Sequence, residues 1–568
     1  MMLRLIAAGL PCVLAAPRPN FLVIFVDDMG INQIDVPTPE GAHGYTGDGG
    51  QVATPNFARL AAEGMTFQTW YSAFHVCSPS RGAMMTGRLP VRLGIGLPCG
   101  DGPECGGSGL NLVFTAEAVG GLPHNETTTA DALASAGYAT GMLGKWHLGQ
   151  RPEYLPTRRG FDEYLGVPFS QDMGTSPWEG AAPAEPFQPT PLALLANETV
   201  VEQPVDLGGL TAKYAAFAAD FIARRSRAPP DAAEATPWYL YASLNHVHAP
   251  ASCAARFCGA SARGAIGDAL LDADALVGAL LDALDAANAT ASTLVLLTSD
   301  NGAPLAQDAL GNLPLRGGKA QTWEGGYREP ALARWPGVVA RGAWSEALAA
   351  TVDVHVTLLA LAGAPLAPGR AYDGVDLTPT LRGDAAAPPP RACYPFYGYA
   401  DARNASDGAH LAAVRCGAFK AYWRTDSDVA NATKAGYQDP PLAFDLVADP
   451  GEAAPLDPAS DAWAAAMAPI LAWRDEHLAS LDVVPSMNAL GSDRRFAICG
   501  APGSVPRNCS LTPENWRPPE CDVPACVATG MLNCSLATAG GGSDVATATA
   551  AAAAGAPNLA AARVTSAT

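Results

Sequence analysis

Phe21-Leu22-Val23-Ile24-Phe25-Val26 is an unbroken apolar run that stops at two carboxylates, Asp27-Asp28. The pattern recurs three times. Tyr138–Leu143 leads into Lys145-Trp146-His147, Trp238–Leu244 into His246-Val247-His248, and Leu294–Thr298 into Asp300-Asn301-Gly302. Helical stretches such as Pro55–Glu63 (closed by Gly64) and Ile266–Ala287 separate the runs. From Asn20 to about Gly383 this alternation predicts an α/β fold with a largely parallel sheet. Ligands of such sheets bind at the carboxyl ends of the strands. Four polar clusters behind four strands therefore predict one site, with oxygen ligands for a hard divalent cation beside cationic groups for an anion.

The rest of the chain sets the context. Its 568 residues allow two to four domains at roughly 100–200 residues each. Hydrophobic residues at 49% and charged residues at 16% describe a globular protein. Lys+Arg 35 against Asp+Glu 55 gives a net charge of −20, which repels phosphate backbones and excludes nucleic acid as a partner. No apolar run after the N-terminus reaches the roughly 18 residues of a membrane span, so no integral membrane segment is expected. Residues 1–16 read as a secretory signal peptide, with Arg4 ahead of an apolar stretch and a cut near Ala15 or Ala16. Thirteen cysteines and N-x-S/T sequons at Asn125, Asn197, Asn288, Asn404, Asn431, Asn508 and Asn533 fit a secretory route.

A Pro-rich stretch, Ala385 to Pro390, marks a domain boundary. The expected order is a large α/β domain over 17–385, a smaller α+β domain over 386–490, a Cys-rich segment over 491–536 and a disordered Ala/Gly-rich tail over 537–568. In the smaller domain, Leu411–Cys416, Phe419–Arg424 and Ala443–Leu446 read as strands, followed by a helix near Asp461–Ser480. Five cysteines from Cys499 to Cys534 suggest a disulfide-stapled tail. With Cys12 and Cys77 set aside, eleven cysteines remain. An odd number leaves at least one thiol free or paired between molecules.

Lysine is scarce: Lys145, Lys213, Lys319, Lys420 and Lys434 are the five among 35 basic residues. Two of them, Lys145 and Lys319, fall in candidate site segments, where a compact ammonium offers what the arginine fork does not. The densest segment is Cys77-Ser78-Pro79-Ser80-Arg81-Gly82-Ala83-Met84-Met85-Thr86-Gly87-Arg88. Ser78 with Pro79 reads as a helix start and Gly87 as its stop, which puts Cys77 at a helix N-terminus favourable to an anion.

This string resembles the sulfatase signature C-x-P-S-R-x-x-x-x-T-G-R. Asp27-Asp28-Met29-Gly30, Gly144 to Gly149, Thr298 to Gly302 and Gly318-Lys319 with Glu324 to Pro330 also resemble motifs of that family. The resemblance spans about Asn20 to Asp482 and is greatest to its arylsulfatase A branch, through Pro90 to Ile95, Gly267–Leu281 and Leu361 to Pro365. It implies an alkaline-phosphatase/sulfatase-like fold: a large mixed sheet flanked by helices, with a smaller C-terminal antiparallel sheet and helix domain. The implied activity is hydrolysis of sulfate monoesters.

The resemblance also implies roles residue by residue. Asp27, Asp28, Asp300 and Asn301 would bind one Ca²⁺ or Mg²⁺ per subunit, with Cys77 also touching it. Cys77 would be converted to Cα-formylglycine (3-oxoalanine) by the formylglycine-generating enzyme, and its hydrate would be the nucleophile. Arg81 and Lys145 would hold the hydrate oxygens, and His147 would orient and deprotonate one hydroxyl. His248 and Lys319 would bind the sulfate, with Lys145 and Ser170, and protonate the leaving oxygen. His246 would stand behind the site. The family often has a histidine after this serine where this chain has Gln171, and the Gly-rich stretch Gln33–Gln51 is longer than the family pattern. Substrates implied are sulfated small molecules, glycolipids or carbohydrates, in a lysosomal, vacuolar or extracellular setting, with room for an oligomer. The competing readings are a phosphomonoester or phosphodiester hydrolase on the same scaffold, and a catalytically dead secreted binding protein.

Overall fold

The computed structural model describes residues 18–36, 52–97, 112–174, 191–228, 235–398, 411–426, 436–482, 484–492, 496–499 and 507–508. The expected signal peptide, most of the Gly-rich stretch, most of the Cys-rich segment and the Ala/Gly-rich tail lie outside the described residues. All described residues belong to one compact unit.

A ten-stranded sheet forms its centre. In spatial order the strands are Ala343–Ser345, Met65–Phe67, Ala331–Arg334, Thr293–Ser299, Asn20–Val26, Trp238–Ser243, Ala139–Gly144, Glu163–Gly166, Leu194–Ala196 and Thr199–Glu202. The run from Thr293–Ser299 to Glu163–Gly166 is parallel, whereas Ala331–Arg334 and Leu194–Ala196 join it antiparallel. The sheet is therefore mixed, with a parallel centre. Phe21 to Val26 are at most 1% exposed, which explains the run without polar alternation: both faces of this strand are covered.

Register fixes the site. Val26 pairs with Ser299, Phe25 with Ser243, and Ser243 with Gly144, so four parallel strands end level with one another. The polar clusters that follow them must meet. Helices pack around this frame in two groups: Pro55–Ala62 and Leu210–Arg225 on Gly264–Ala286, and Cys77–Thr86 with Thr129–Ser135 and Asp353–Ala362. The Cys77 helix starts after extended Val76 and stops at Gly87 in the left-handed region, φ 69°, as its sequence requires.

A four-stranded antiparallel sheet follows in the order Cys393–Tyr397, Leu411–Cys416, Phe419–Thr425, Gly436–Asp445, and the helix Asp461–Ala479 packs on it. Cys393–Tyr397 was not read from the sequence, and Gly436–Asp445 was read only at its end. Both contain prolines, Pro395 and Pro440-Pro441, and both are edge strands, where a missing N–H is tolerated. Disulfides join Cys253 to Cys258 and Cys393 to Cys416; among the described residues the free cysteine is Cys77.

Two tests follow from this frame. Gly144, at φ 92°, carries the chain from its strand into Lys145, and a Cβ there would lie 1.6 Å from the Ser243 carbonyl oxygen. Gly144→Ala should cost about 2 kcal/mol or more of stability, read as a lowered urea midpoint. The second concerns pH. Burial lowers His355 to about 4 and, against the pull of Asp373, His477 to about 4. Between about pH 6.5 and 4 the unfolded chain therefore takes up protons that the native state refuses. The contribution of these two histidines to stability should therefore be lost as pH drops through that window, and in a urea series His355→Leu should lose less stability than the wild type over the same window.

Candidate active site

Asp27, Asp28, Cys77, Arg81, Lys145, His147, Ser170, His248, Asp300 and Asn301 are all buried, and Lys319 nearly so, its side chain 18% exposed. Eleven residues drawn from seven stretches of chain thus converge on the level strand ends.

Charge pairing organises them. Lys145 Nζ lies 2.6 Å from Asp27 Oδ2, and Lys319 Nζ 2.6 Å from Asp28 Oδ1. Arg81 donates to Asp300 Oδ2 through Nε at 3.1 Å and Nη2 at 2.7 Å, and its Nη2 stands 3.4 Å from Asp27 Oδ1. Three carboxylates face three permanent cations in a dry interior. Burial would raise the Asp27 carboxyl, but Lys145, His248, Arg81 and Lys319 outweigh it and hold the group well below the ordinary carboxylate range. Asp300 goes the other way, to about 6, because burial and the neighbouring Asp27 charge exceed the help from Arg81 and Lys145. Burial would also lower Lys145 and Lys319, yet Asp27 and Asp28 respectively raise them.

Cys77 Sγ is 3.6 Å from Asp27 Oδ1 at the start of its helix. Burial pushes its thiol up, and the Asp27 and Asp300 charges add to that. The nearby lysines do not compensate, so the unmodified thiol is a poor thiolate donor.

The two histidines differ. His147, itself at φ 58°, gives its Nε2 proton to the Phe114 carbonyl at 2.9 Å, and its buried Nδ1 has no hydrogen-bond partner. Burial, then Lys145 and Arg81, holds it neutral, well below the usual histidine value. A neutral imidazole with a free lone pair is a proton acceptor. His248 donates Nδ1–H to the Ala249 carbonyl at 2.6 Å and turns Nε2 toward Ser170 Oγ at 3.3 Å and Asp28 Oδ2 at 3.5 Å. Ser170 also accepts from Lys145 Nζ at 3.1 Å. His246 points away, to Asp272 at 3.2 Å, while its carbonyl accepts the Asp27 N–H at 2.7 Å. Gln171 Nε2 bridges the His248 and Pro250 carbonyls at 2.7 and 2.8 Å and so braces the His248 loop.

Some supports have no sequence signal. Ser243 lies between Arg81 and the Lys145 carbonyl, and Phe114 reaches His147 through its backbone oxygen. Any residue type offers that carbonyl, so only the fold reveals it.

Residues 19–364 match the sulfatase family, and residues 391–528 match the C-terminal region of aryl-sulfatase. The chain belongs to the sulfatase family. It is 38% identical over 538 residues to arylsulfatase A of Bos taurus, an alignment covering 90% of this chain and 97% of that one. N-acetylgalactosamine-6-sulfatase of Mus musculus is 33% identical, over 92% of this chain and 94% of the relative. The crystal structure of the PsFucS1 sulfatase from Pseudoalteromonas sp. matches with a TM-score of 0.66 at 27% identity, over 82% of this chain and 90% of that one. This sulfatase is accordingly a sulfuric ester hydrolase. Among its described residues no helix is long and apolar enough to cross a membrane.

The family implies a metal ion, and the donors present fit one. Atoms of Asp27, Asp28, Cys77 and His248 lie within 4.8 Å of one another. Asn301 donates Nδ2–H to Asp28 Oδ1 at 2.8 Å, which leaves its buried Oδ1 without a hydrogen-bond partner. An orphaned amide oxygen among carboxylates suits a hard cation, which would also relieve the raised Asp300. Asp300 turns Oδ2 to Arg81 and Oδ1 to the Asp28 N–H at 3.0 Å. Adding Ca²⁺ or Mg²⁺ to chelator-treated protein should raise its melting temperature by several degrees. Asn301→Ala should remove most of that gain in the same thermal scan.

Proposed function

We propose that this sulfatase hydrolyses sulfate monoesters of sulfated small molecules, glycolipids or carbohydrates through a formylglycine hydrate formed from Cys77. The observation that carries the reading is a buried Cys77 with an unfavourable thiol, surrounded by cations and carboxylates in equal number. A thiol so placed serves better as the precursor of another nucleophile than as one itself. Maturation by a formylglycine-generating enzyme, and a lysosomal, vacuolar or extracellular destination, belong to the same reading.

Asp27, Asp28, Asp300 and Asn301, with the residue-77 side chain, would hold one Ca²⁺ or Mg²⁺, which supplies positive charge to a sulfuryl oxygen. A hydrated aldehyde at position 77 supplies two hydroxyls on one carbon, one to attack sulfur and one to expel sulfate as the carbonyl re-forms. Arg81 and Lys145 hold those oxygens. His147 receives a hydroxyl proton at Nδ1, the ring atom left open by its bond to Phe114. Lys145, Ser170, His248 and Lys319 bind the sulfate oxygens, where fixed cations outweigh the chain's overall negative charge. His248 Nε2 and Lys319 Nζ stand on the Asp28 side and give a proton to the departing ester oxygen. Burial keeps water from competing with these contacts.

The test compares 4-nitrophenyl sulfate with 4-nitrophenyl phosphate. Turnover should favour the sulfate, and a preference for phosphate would replace this reading with a phosphoesterase. Cys77→Ser keeps one hydroxyl where the hydrate has two. It should release at most one 4-nitrophenolate per protein and leave a sulfated serine, detectable by mass spectrometry. Repeated turnover by Cys77→Ser would contradict the two-hydroxyl mechanism.

A further inference from the structure

Two of the five lysines, Lys145 and Lys319, are accounted for by the site. A third, Lys420, lies in the middle of the C-terminal antiparallel sheet and is 0% exposed. Its Nζ is 3.9 Å from the Phe396 ring centroid, 2.9 Å from Glu324 Oε1, 3.5 Å from Glu452 Oε1 and 3.1 Å from the Thr322 carbonyl. Tyr422 OH donates to Glu452 Oε1 and shares its proton with the same carbonyl, 3.1 Å away. Asp426 Oδ2 accepts from Thr322 N at 2.6 Å and Thr322 Oγ1 at 2.8 Å. Glu452 Oε2 accepts the Glu324 N–H at 2.7 Å, and the Glu452 carbonyl accepts Arg316 Nη1 at 2.8 Å. The segment Arg316–Glu324 is thus held along one side by Lys420, Tyr422, Asp426 and Glu452.

Lys319 sits in the middle of that segment. On the other side, Ala320 N donates to the His75 carbonyl at 2.9 Å and Lys319 N to the Ala303 carbonyl at 3.2 Å. Ala320 has φ 70°, a conformation that a non-glycine residue keeps only when its surroundings fix it. Glu452 has φ 51° for the same reason. A buried ion pair is a poor device for stability, because desolvation consumes most of the attraction; what it does well is select one geometry. Here the selected geometry is that of the loop that carries Lys319.

We infer that Lys420 is a positioning residue for catalysis: the C-terminal sheet, through Lys420 and Tyr422 on the Thr322 carbonyl, holds Lys319 at the sulfate site. The inference rests on the reading of Lys319 given above. It makes the C-terminal sheet part of the catalytic apparatus, with Lys420 touching neither substrate nor metal.

A double-mutant cycle on the full-length enzyme tests it, using kcat/KM for 4-nitrophenyl sulfate. Lys319→Ala should lower the value by about 10³-fold. Lys420→Met should lower it by about 10²-fold, the cost of an ångström-scale misplacement. In the Lys319→Ala background, Lys420→Met should cost less than about 3-fold, since its effect has nothing left to act through. Losses that multiply would overturn the inference and make Lys420 a structural residue only. Wild-type turnover by Lys319→Ala would instead overturn the role of Lys319. If Lys420→Met does not fold, Tyr422→Phe enters the same cycle, with a smaller loss expected and the same non-additivity. A second readout separates positioning from stability. Both single variants should lose more activity on an alkyl sulfate, a poor leaving group, than on 4-nitrophenyl sulfate; equal losses from Lys420→Met would count against it.

Discussion

The pairing of three buried carboxylates with three buried cations is the constraint on which the rest depends. Asp27 with Lys145, Asp28 with Lys319 and Asp300 with Arg81 are each costly alone in a dry interior. Together they form a polar cluster near neutrality, inside a protein of net charge −20. On the proposed reading that balance would let the site take a divalent cation and an anionic ester together, because each neutralises what the other adds. Removing one member leaves a partner unpaired, so substitutions at these positions bear on fold stability as well as on the proposed chemistry.

The fold serves this pairing by level strand ends. Apolar strands running in parallel to the same height deliver acids, amines and imidazoles to one plane, and tight turns hold them there. Asp28 at φ 61° and His147 at φ 58° are held in the left-handed region within this plane, and Gly144 crosses it where a side chain could not. Strain of this kind is tolerated where surrounding contacts over-determine it. The C-terminal sheet belongs to the same economy of support, bracing the Lys319 loop from behind.

The parallel centre of the sheet and the residues brought to its ends were legible because two signals coincided. An apolar run without alternation marks a strand covered on both faces, and a polar cluster directly behind it marks a strand end. The Cys77 helix was legible from Ser78-Pro79 and Gly87, which are local signals. What stayed hidden was long-range or backbone-borne. The grip of Lys420 on Thr322 joins residues 98 apart, and one lysine in a strand looks like any other. The Phe114 carbonyl that fixes the His147 tautomer has no side-chain signature. The edge strands were masked by Pro395, Pro440 and Pro441, residues that argue against a strand until the edge position is known. Gln171, out of line with the family pattern, proved to brace the His248 loop through two carbonyls.

The central claim is that Cys77 works as an aldehyde hydrate and not as a thiol. Mass spectrometry of the proteolytic peptide that contains Cys77, taken from an active preparation, tests it most directly. The account predicts a peptide carrying formylglycine at position 77 in proportion to specific activity, recognised by its reaction with a hydrazide probe. A fully active preparation in which residue 77 is entirely unmodified cysteine would contradict it.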